Sequence, residues 1–268
     1  MRALRIVGAG SKAVLFLAGA LAVSATNAHA EFKLHYPIVD YRELEFEHNG
    51  DVTFDKRDSG KNNAQSFTYE IGYGVTPWWE PEIEGEFETE PGQNQHFVAT
   101  TFENTFQLTE QGKYWADLGF FAEYSHAPTR TGPDSFTFGP LVQKQASEIF
   151  GLDLGYDTLH TLNLLVTKEI GTNREDATPL SIAWQSRLRL NAYFEPGIEY
   201  YGQISSIAGA STPDQQEPVQ HRLGPVLVGQ YNLYRYGKIK YELGYLFGLN
   251  AATERGAVRW RLEYEKPF

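Results

Sequence analysis

Regularly spaced glutamates are the clearest chemical pattern in this chain. Six of them occupy every second position of one stretch: Glu80, Glu82, Glu84, Glu86, Glu88 and Glu90. Side chains of a β-strand alternate between its two faces, so this spacing places all six carboxylates on one face. Glu43, Glu45 and Glu47 repeat the pattern earlier in the chain. Neighbouring carboxylates repel one another, so some should pair with arginine and others should attract cations.

Arginines occupy the polar phase of later stretches and offer the matching charge. Four of them alternate with apolar residues: Arg187, Arg189, Arg259 and Arg261. If the chain closes into a barrel, its last strand pairs with its first. We therefore expect the two C-terminal arginines to lie near the glutamates of the first strand.

Patterns typical of catalytic and metal sites are weak. Ser125 and His126 are adjacent, so on a strand they point to opposite faces, and no G-x-S-x-G motif is present. Histidines at metal-ligand spacing are lacking, and the loop carboxylates of Asp51, Asp55 and Asp58 offer too few oxygen ligands for calcium. We predict that the protein is not an enzyme and holds no cofactor or metal.

The elements that must position these charges are strands. About twelve period-two segments, near the 9–11 residues that a tilted membrane strand needs, are separated by turn-forming residues. They cover residues 39–47, 66–75, 80–90, 97–108, 113–124, 135–143, 161–170, 181–191, 194–204, 219–231, 238–249 and 257–268. Short and long connections alternate, as do the periplasmic turns and extracellular loops of outer-membrane barrels. Residues 144–160 are too long for a short turn, which predicts an extra strand or a periplasmic excursion.

Both ends of the chain fit an exported membrane protein. Residues 1–30 combine basic residues, an apolar run and a small-x-small pattern ending at Ala30, which predicts a cleaved signal peptide and one mature barrel domain at 31–268. The last strand is apolar on one face and ionic on the other, and it ends at Phe268. Such an ending resembles the C-terminal assembly signal of bacterial outer-membrane β-barrels, which implies the assembly machinery as a partner.

The composition narrows the partners. The formal net charge is −11, which argues against nucleic acid because phosphate binding needs a basic surface. Cysteine is absent, so disulfides and thiolate sites are excluded. Aromatic residues make up 14% of the chain, as expected where girdles of Tyr and Trp contact membrane lipids. We predict an all-β, antiparallel transmembrane barrel in the outer membrane of a Gram-negative bacterium.

On such a barrel the charges form two walls of the lumen, because charges that face lipid are costly. The predicted acidic wall contains Glu43, Glu45, Glu82, Glu84, Glu86 and Glu88. The predicted basic wall contains Arg187, Arg189, Arg259 and Arg261. In the porin-like interpretation, these walls pass small solutes by electrostatic selection through a narrow lumen. In the alternative, they cross-link a closed structural barrel whose extracellular loops bind a partner or protect the envelope. Barrels of eight strands are filled by their own side chains, and barrels of sixteen or more leave an aqueous channel. A barrel of about twelve strands lies between these sizes, so the strand number does not decide between the two interpretations.

Two stretches resemble a known family. YGVTPWWEPEIEGEFE at 73–88 and FEPGIEYYGQI at 194–204 resemble the Meta-pathway phenol-degradation outer-membrane family and its uncharacterised relatives. This resemblance implies a transport barrel in the outer membrane. It names no substrate, and it implies no catalytic residue.

Overall fold

Twelve antiparallel strands close into one barrel in which each strand pairs with its sequence neighbours and the last pairs with the first. The computed structural model describes residues 32–58, 61–128, 132–149, 152–172, 174–209 and 219–268. The predicted signal peptide at 1–30 lies outside these residues. Within them, no helix is both long and apolar enough to span a bilayer. The predicted fold class and strand number are confirmed.

The strands run in chain order around the barrel. They are β1 (Glu43–Phe54), β2 (Gln65–Tyr73), β3 (Trp79–Thr89), β4 (His96–Gln107), β5 (Asp117–His126), β6 (Asp134–Ile149), β7 (Leu152–Ile170), β8 (Thr178–Leu188), β9 (Glu195–Ala208), β10 (Gln220–Asn232), β11 (Lys238–Gly248) and β12 (Gly256–Pro267). A single 3₁₀ turn at Tyr234–Tyr236 joins β10 to β11.

The polarity of the barrel is inverted relative to a soluble protein. On β3 the side chain of Ile83 is 46% exposed, whereas Glu84 next to it is 2% exposed. β1 repeats this contrast, with Phe46 exposed and Glu45 buried. Apolar side chains thus face outward and charged side chains face inward. Only a closed barrel or a helix satisfies its backbone hydrogen bonds in lipid, so this surface is that of a membrane-spanning barrel.

Exposed tyrosine and tryptophan side chains are numerous at one end of the barrel. This end, which we call the short-turn end, holds the connections β2–β3, β4–β5, β8–β9 and β10–β11. The aromatic side chains there include Tyr41, Trp78, Tyr114, Trp115, Tyr193, Tyr231 and Tyr236. Amphipathic rings favour the interface between lipid and water. We assign the short-turn end to the periplasm, and the opposite, long-loop end to the cell exterior.

The predicted first strand, 39–47, is misplaced. β1 begins at Glu43 and continues to Phe54, so the first long loop starts later than expected. The inward phase of Glu43, Glu45 and Glu47 continues in Asn49, Asp51 and Thr53, which are buried polar residues. Asn49-Gly50-Asp51 is a turn-forming sequence, but pairing with both β2 and β12 holds these residues in the strand.

The long connection at 144–160 is a periplasmic excursion rather than an extra strand. β6 and β7 have 16 and 19 residues, more than a membrane strand requires. Their pairing continues past Lys144↔His160 to Ile149↔Leu152, with one register shift between Ala146 and Glu148. The two strands therefore project from the short-turn end as a hairpin.

Candidate functional site

Residues 32–40 lie inside the barrel, and we call them the lumen segment. The segment precedes β1 and runs from the short-turn end into the lumen. The backbone N–H of His35 donates to Asn163 Oδ1 at 2.8 Å, and Asn163 Nδ2 donates to the carbonyl of His35 at 2.8 Å. Arg261 Nη1 donates to the carbonyl of Leu34 at 3.1 Å. Lumen side chains thus satisfy backbone groups that have no ladder partner.

One face of the lumen segment is apolar. Phe32 and Leu34 are buried against a cluster on the barrel wall that contains Ala183, Tyr201, Leu246 and Ala257. The rings of Phe32 and Tyr201 lie 5.5 Å apart. Burial of two large side chains is worth roughly 3–6 kcal/mol in total, so packing is a major part of what holds the segment in place.

The opposite face of the segment carries Lys33, whose ammonium group meets three carboxylates. Lys33 Nζ lies 3.2 Å from Glu84 and 2.9 Å from Glu103, and it also binds Glu70. The four side chains are at most 4% exposed. Removing one partner of a buried ion pair costs about 3–5 kcal/mol, so this lysine anchors the segment strongly.

The base of the segment is held at the short-turn end. Tyr36 donates to Glu242 at 2.7 Å, and the guanidinium groups of Arg187 and Arg261 lie 5.6 and 5.4 Å from the centroid of its ring. Asp40 lies 3.3 Å from Lys238 and 3.5 Å from Lys240. Burial alone would raise the pKa of Asp40, but the two ammonium groups hold that pKa below its ordinary value.

Three residues of the predicted acidic wall lie close to cations on other elements. Glu43 lies 3.4 Å from Lys238, and Glu45 lies 3.8 Å from Arg261. Glu84 belongs to the group around Lys33. These glutamates are therefore joined to other parts of the barrel or to the lumen segment.

The other predicted acidic residues, all on β3, have different surroundings. Glu86 accepts a hydrogen bond from Thr101, and Glu88 is partly buried nearer the long-loop end. An oxygen of Glu82 lies within 4.8 Å of oxygens of Glu70 and Glu103. Of these three, Glu82 thus lies next to the group that binds Lys33.

Three arginines of the predicted basic wall are paired with glutamates of nearby strands. Arg187 and Arg189 bind Glu195 at 3.1 and 3.2 Å. Arg259 binds Glu199 at 2.8 Å and Glu242 at 2.8 Å. These acids lie on β9 and β11, between the arginines.

The two arginines of β12 have different partners. Arg261 binds Glu47, Glu45 and Glu263, as expected from the pairing of the last strand with the first. Arg259 stands opposite Asp51 in the register and turns toward Glu199 and Glu242. The expectation that Arg259 lies near Glu43, Glu45 and Glu47 is wrong, because the register pairs these three residues with Pro267, Glu265 and Glu263.

Three cavities follow the lumen segment and shrink toward the long-loop end. The first, of about 650 Å³, opens at the short-turn end and is lined in part by Arg187, Arg189 and Arg261. The second, of about 50 Å³, lies around the middle of the segment and is lined in part by Glu45 and Glu82. The third, beside Phe32, measures about 10 Å³. The lumen is therefore a funnel that the segment narrows.

At the narrow end, the β1–β2 loop and the β11–β12 loop are hydrogen-bonded to each other. Arg57 Nη2 in the β1–β2 loop donates to the carbonyl of Thr253 at 2.8 Å, and Lys61 Nζ donates to the carbonyl of Ala252 at 2.9 Å. Asp55 accepts hydrogen bonds from Arg57, which hold the pKa of this carboxyl well below its ordinary value. These hydrogen bonds join the two loops at the long-loop end, beside β1 and β12.

Among the predicted site residues, Glu84 and Arg261 contact the segment, but several others that hold it were not predicted. Lys33, Glu70, Glu103 and Glu242 carry its main contacts. A signal was present, since Phe32, Leu34 and Tyr36 alternate with Lys33 and His35. Ser125 and His126 point apart as expected: Ser125 Oγ lies 3.2 Å from Thr101 in the lumen, whereas exposed His126 lies 2.9 Å from Asp134.

No family model and no curated protein matches the chain. Among solved structures, Acinetobacter baumannii outer membrane protein Omp33 is 9% identical with a TM-score of 0.45, covering 85% of this chain and 98% of its own. The translocator domain of the Neisseria meningitidis autotransporter NalP is 10% identical with a TM-score of 0.49, covering 84% and 88%. A Rhodopseudomonas blastica porin triple mutant is 8% identical with a TM-score of 0.28, covering 83% and 99%.

These likenesses are too distant to support an argument about function. The assignment rests instead on the barrel itself, with its apolar exterior, charged interior and aromatic girdle. The chain is a β-barrel of the bacterial outer membrane that contacts membrane lipids.

Proposed function

We propose that this barrel is a narrow pore for small solutes and that its lumen segment closes it. The observation that carries the proposal is the position of residues 32–40 between two charged walls, joined directly to β1 at the short-turn end. A segment attached in this way can leave the lumen toward the periplasm without breaking a strand pair. The barrel then retains a polar interior.

The charges of the walls supply the selectivity. Glu82, Glu84, Glu86 and Glu88 form the acidic side of the proposed pore, and Arg187, Arg189, Arg259 and Arg261 form the basic side. A field directed across the lumen favours solutes whose charges are separated in the same sense, and rings of charge set ion selectivity. Hydrated ions and small polar molecules are the solutes that we expect to pass such a polar lumen.

The test is single-channel conductance in planar bilayers. The mature protein should be mostly closed, whereas a variant that lacks residues 32–40 should show discrete steps. Heat-modifiable mobility on gels would confirm that both proteins are folded. A deletion variant that is folded and inserted but silent would contradict the proposal. A point variant, Lys33→Gln, tests the same idea with the segment still present and should open intermittently.

A second function is favoured by a different observation. Buried ion pairs join both walls and the lumen segment, and two loops are hydrogen-bonded to each other at the long-loop end. This cross-linking fits a closed structural barrel whose extracellular loops bind a partner or protect the envelope. Silence from the folded deletion variant would support it, because a true pore conducts once the segment is gone.

Three finer assignments belong to the same proposal. The resemblance of residues 73–88 and 194–204 to the Meta-pathway phenol-degradation family supports transport. Phe268, at the end of β12, resembles the signal that the outer-membrane assembly machinery reads. The proposed role needs no catalysis, so we expect no enzymatic activity from the purified barrel.

A further inference from the structure

The barrel wall holds the lumen segment partly by its backbone. Asn163 on β7 is fully buried, and its side-chain amide forms two hydrogen bonds to a single residue. Its Oδ1 accepts from the N–H of His35, and its Nδ2 donates to the carbonyl of His35, both at 2.8 Å. Arg261 Nη1 donates to the carbonyl of Leu34 at 3.1 Å. These three hydrogen bonds contact backbone groups only, so they do not depend on the side chains that the segment carries.

A second side-chain amide contacts the backbone four residues further along. Gln107 Oε1 on β4 accepts from the N–H of Val39 at 2.9 Å, and Gln107 Nε2 donates to the carbonyl of Thr109 at 2.8 Å, which orients the amide. The segment belongs to no strand, so these side chains take the place of a neighbouring strand. The lumen thus contains a groove that binds a peptide backbone.

Two pockets of different chemistry flank this groove. Phe32 and Leu34 pack against the apolar cluster of the wall, whereas Lys33 between them points the other way, as in an extended chain, and binds three buried glutamates. An ammonium group has three donors, one for each carboxylate, whereas the planar fork of arginine suits a single carboxylate. Main-chain hydrogen bonds together with pockets for alternate side chains are the two parts of a peptide-binding site. The pockets accordingly select a lysine between two apolar residues.

The groove opens toward the short-turn end. The cavity of about 650 Å³ extends along the segment there and is lined in part by Tyr36, Ile38 and Asp40. The chain enters the lumen by this route, so a second chain of similar width can follow it once the segment has left. No strand pair has to break, because the barrel is closed without the segment.

We propose that this groove binds separate peptides as well as the lumen segment, namely short extended chains with a lysine between two apolar residues. The segment then acts as the built-in competitor of such peptides. The groove is available only if the segment leaves the lumen, so peptide binding rests on the proposed function in that respect. A tethered segment acts at an effective concentration of roughly millimolar order, so a free peptide competes poorly with it in the closed barrel.

Peptide binding to a full-length variant, Lys33→Glu, tests the proposal. A carboxylate at this position is repelled by the three buried glutamates, so the segment should leave while the wall stays unchanged. A fluorescent peptide with the sequence of residues 32–40 should then bind the refolded variant in detergent with a dissociation constant of roughly 100 µM or below. The parent barrel should bind this peptide at least about ten-fold more weakly. Absence of binding to the folded variant with its segment released, as protease cleavage reports, would overturn the proposal.

If Lys33→Glu fails to fold or retains its segment, the double variant Phe32→Ala and Leu34→Ala takes its place. These substitutions remove the apolar side chains that hold the segment and leave both pockets of the wall unchanged. The same peptide should bind this variant roughly ten-fold more tightly than it binds the parent. Equal binding to the double variant and to the parent would contradict the proposal.

Matched peptides test the selectivity. Lys33→Gln in the peptide should weaken binding about ten-fold or more, because the buried glutamates are left without a charged partner. Phe32→Ile and Leu34→Val in the peptide keep the pattern and should change the affinity by less than about ten-fold. Equal affinity of the lysine and glutamine peptides would reject the acidic pocket as part of a peptide site.

A wall variant tests the backbone contacts. In the Lys33→Glu barrel, Asn163→Ala should weaken every peptide by a similar factor, about five-fold or more, because the lost hydrogen bonds reach backbone groups. Gln143→Ala is the matched control, since this buried amide also lines the lumen but donates to Thr161 at 3.1 Å rather than to the segment. The same affinity in both variants would contradict the role of Asn163.

Conductance separates the peptide site from the pore. The Lys33→Glu barrel should conduct, and the peptide should block its steps. A barrel that conducts but binds no peptide would support the pore and reject the peptide site. A folded barrel that is silent but binds the peptide would reject the pore and support the site.

Discussion

The two walls of the lumen balance their charges in different ways. The basic wall is self-sufficient at Arg259, because Glu199 on β9 and Glu242 on β11 bind this arginine. The acidic wall around Glu84 is neutralised by Lys33, which belongs to the lumen segment rather than to a strand. Withdrawal of the segment would therefore leave the pairs of Arg259 intact but would remove the ammonium group that neutralises Glu84. The acidic wall is thus the part of the lumen whose charge depends on the state of the barrel.

The largest expected effect comes from breaking the self-sufficient wall. Arg259→Leu leaves Glu199 and Glu242 buried without their partner, which should cost about 3–5 kcal/mol in the free energy of unfolding. Arg189→Leu is the matched control, since its pair with Glu195 is partly exposed and should cost at most about 1 kcal/mol. Reversible urea unfolding in detergent micelles measures both. Equal losses in the two variants would contradict the contrast between buried and exposed pairs.

Loss of the lysine should affect the acidic wall differently. In Lys33→Gln, the three glutamates can regain solvation if the segment leaves, so we expect a stability loss of about 1–3 kcal/mol together with release of the segment. Protease cleavage within residues 32–40 of the folded barrel reports the release. Lys113→Gln, which breaks an exposed pair with Glu110 in a turn, should leave the segment protected. Full protection of the segment in Lys33→Gln would show that apolar packing alone holds it.

The ion selectivity of the open pore gives a further test of the difference between the two walls. In the deletion variant, replacement of Glu82, Glu84, Glu86 and Glu88 by Gln should shift selectivity toward anions, because the basic wall keeps its arginines. Reversal potentials in a salt gradient measure this shift. Unchanged potentials would remove these glutamates from the permeation path.

The smallest expected effect is a pH dependence at the base of the segment. The pKa of Asp40 is lower in the folded barrel than in the unfolded chain, so its pairs with Lys238 and Lys240 are fully stabilising above about pH 4. That contribution is lost as the pH falls through the folded pKa. Asp40 is partly exposed, so we expect at most about 1 kcal/mol. Asp40→Asn should remove this part of the pH profile, and an unchanged profile would assign it to other carboxyls.

The strands were predictable because membrane barrels alternate polarity at every residue. Predicted segments at 80–90 and 219–231 agree with β3 and β10 within one residue. The first strand was misplaced because Asn49-Gly50-Asp51 is a common turn sequence, and only pairing on both sides keeps it extended. Inward placement of the wall residues followed from the cost of charge in lipid. The partners of the wall residues could not be predicted from the sequence, because several acids lie within reach of Arg259 and the strand register determines which of them it meets.

The amino-acid order determines a closed barrel with an apolar exterior and a charged interior, because period-two alternation acts locally and repeats in every strand. What fills that interior was decided by the tertiary structure. Lys33 binds glutamates that lie 37, 51 and 70 residues further along the chain, on three strands that closure brings together. An alternating segment such as residues 32–40 reads as the start of a strand. Because every strand edge of the closed barrel is already paired, the segment joins no ladder, and its charged and apolar side chains are buried between the walls instead.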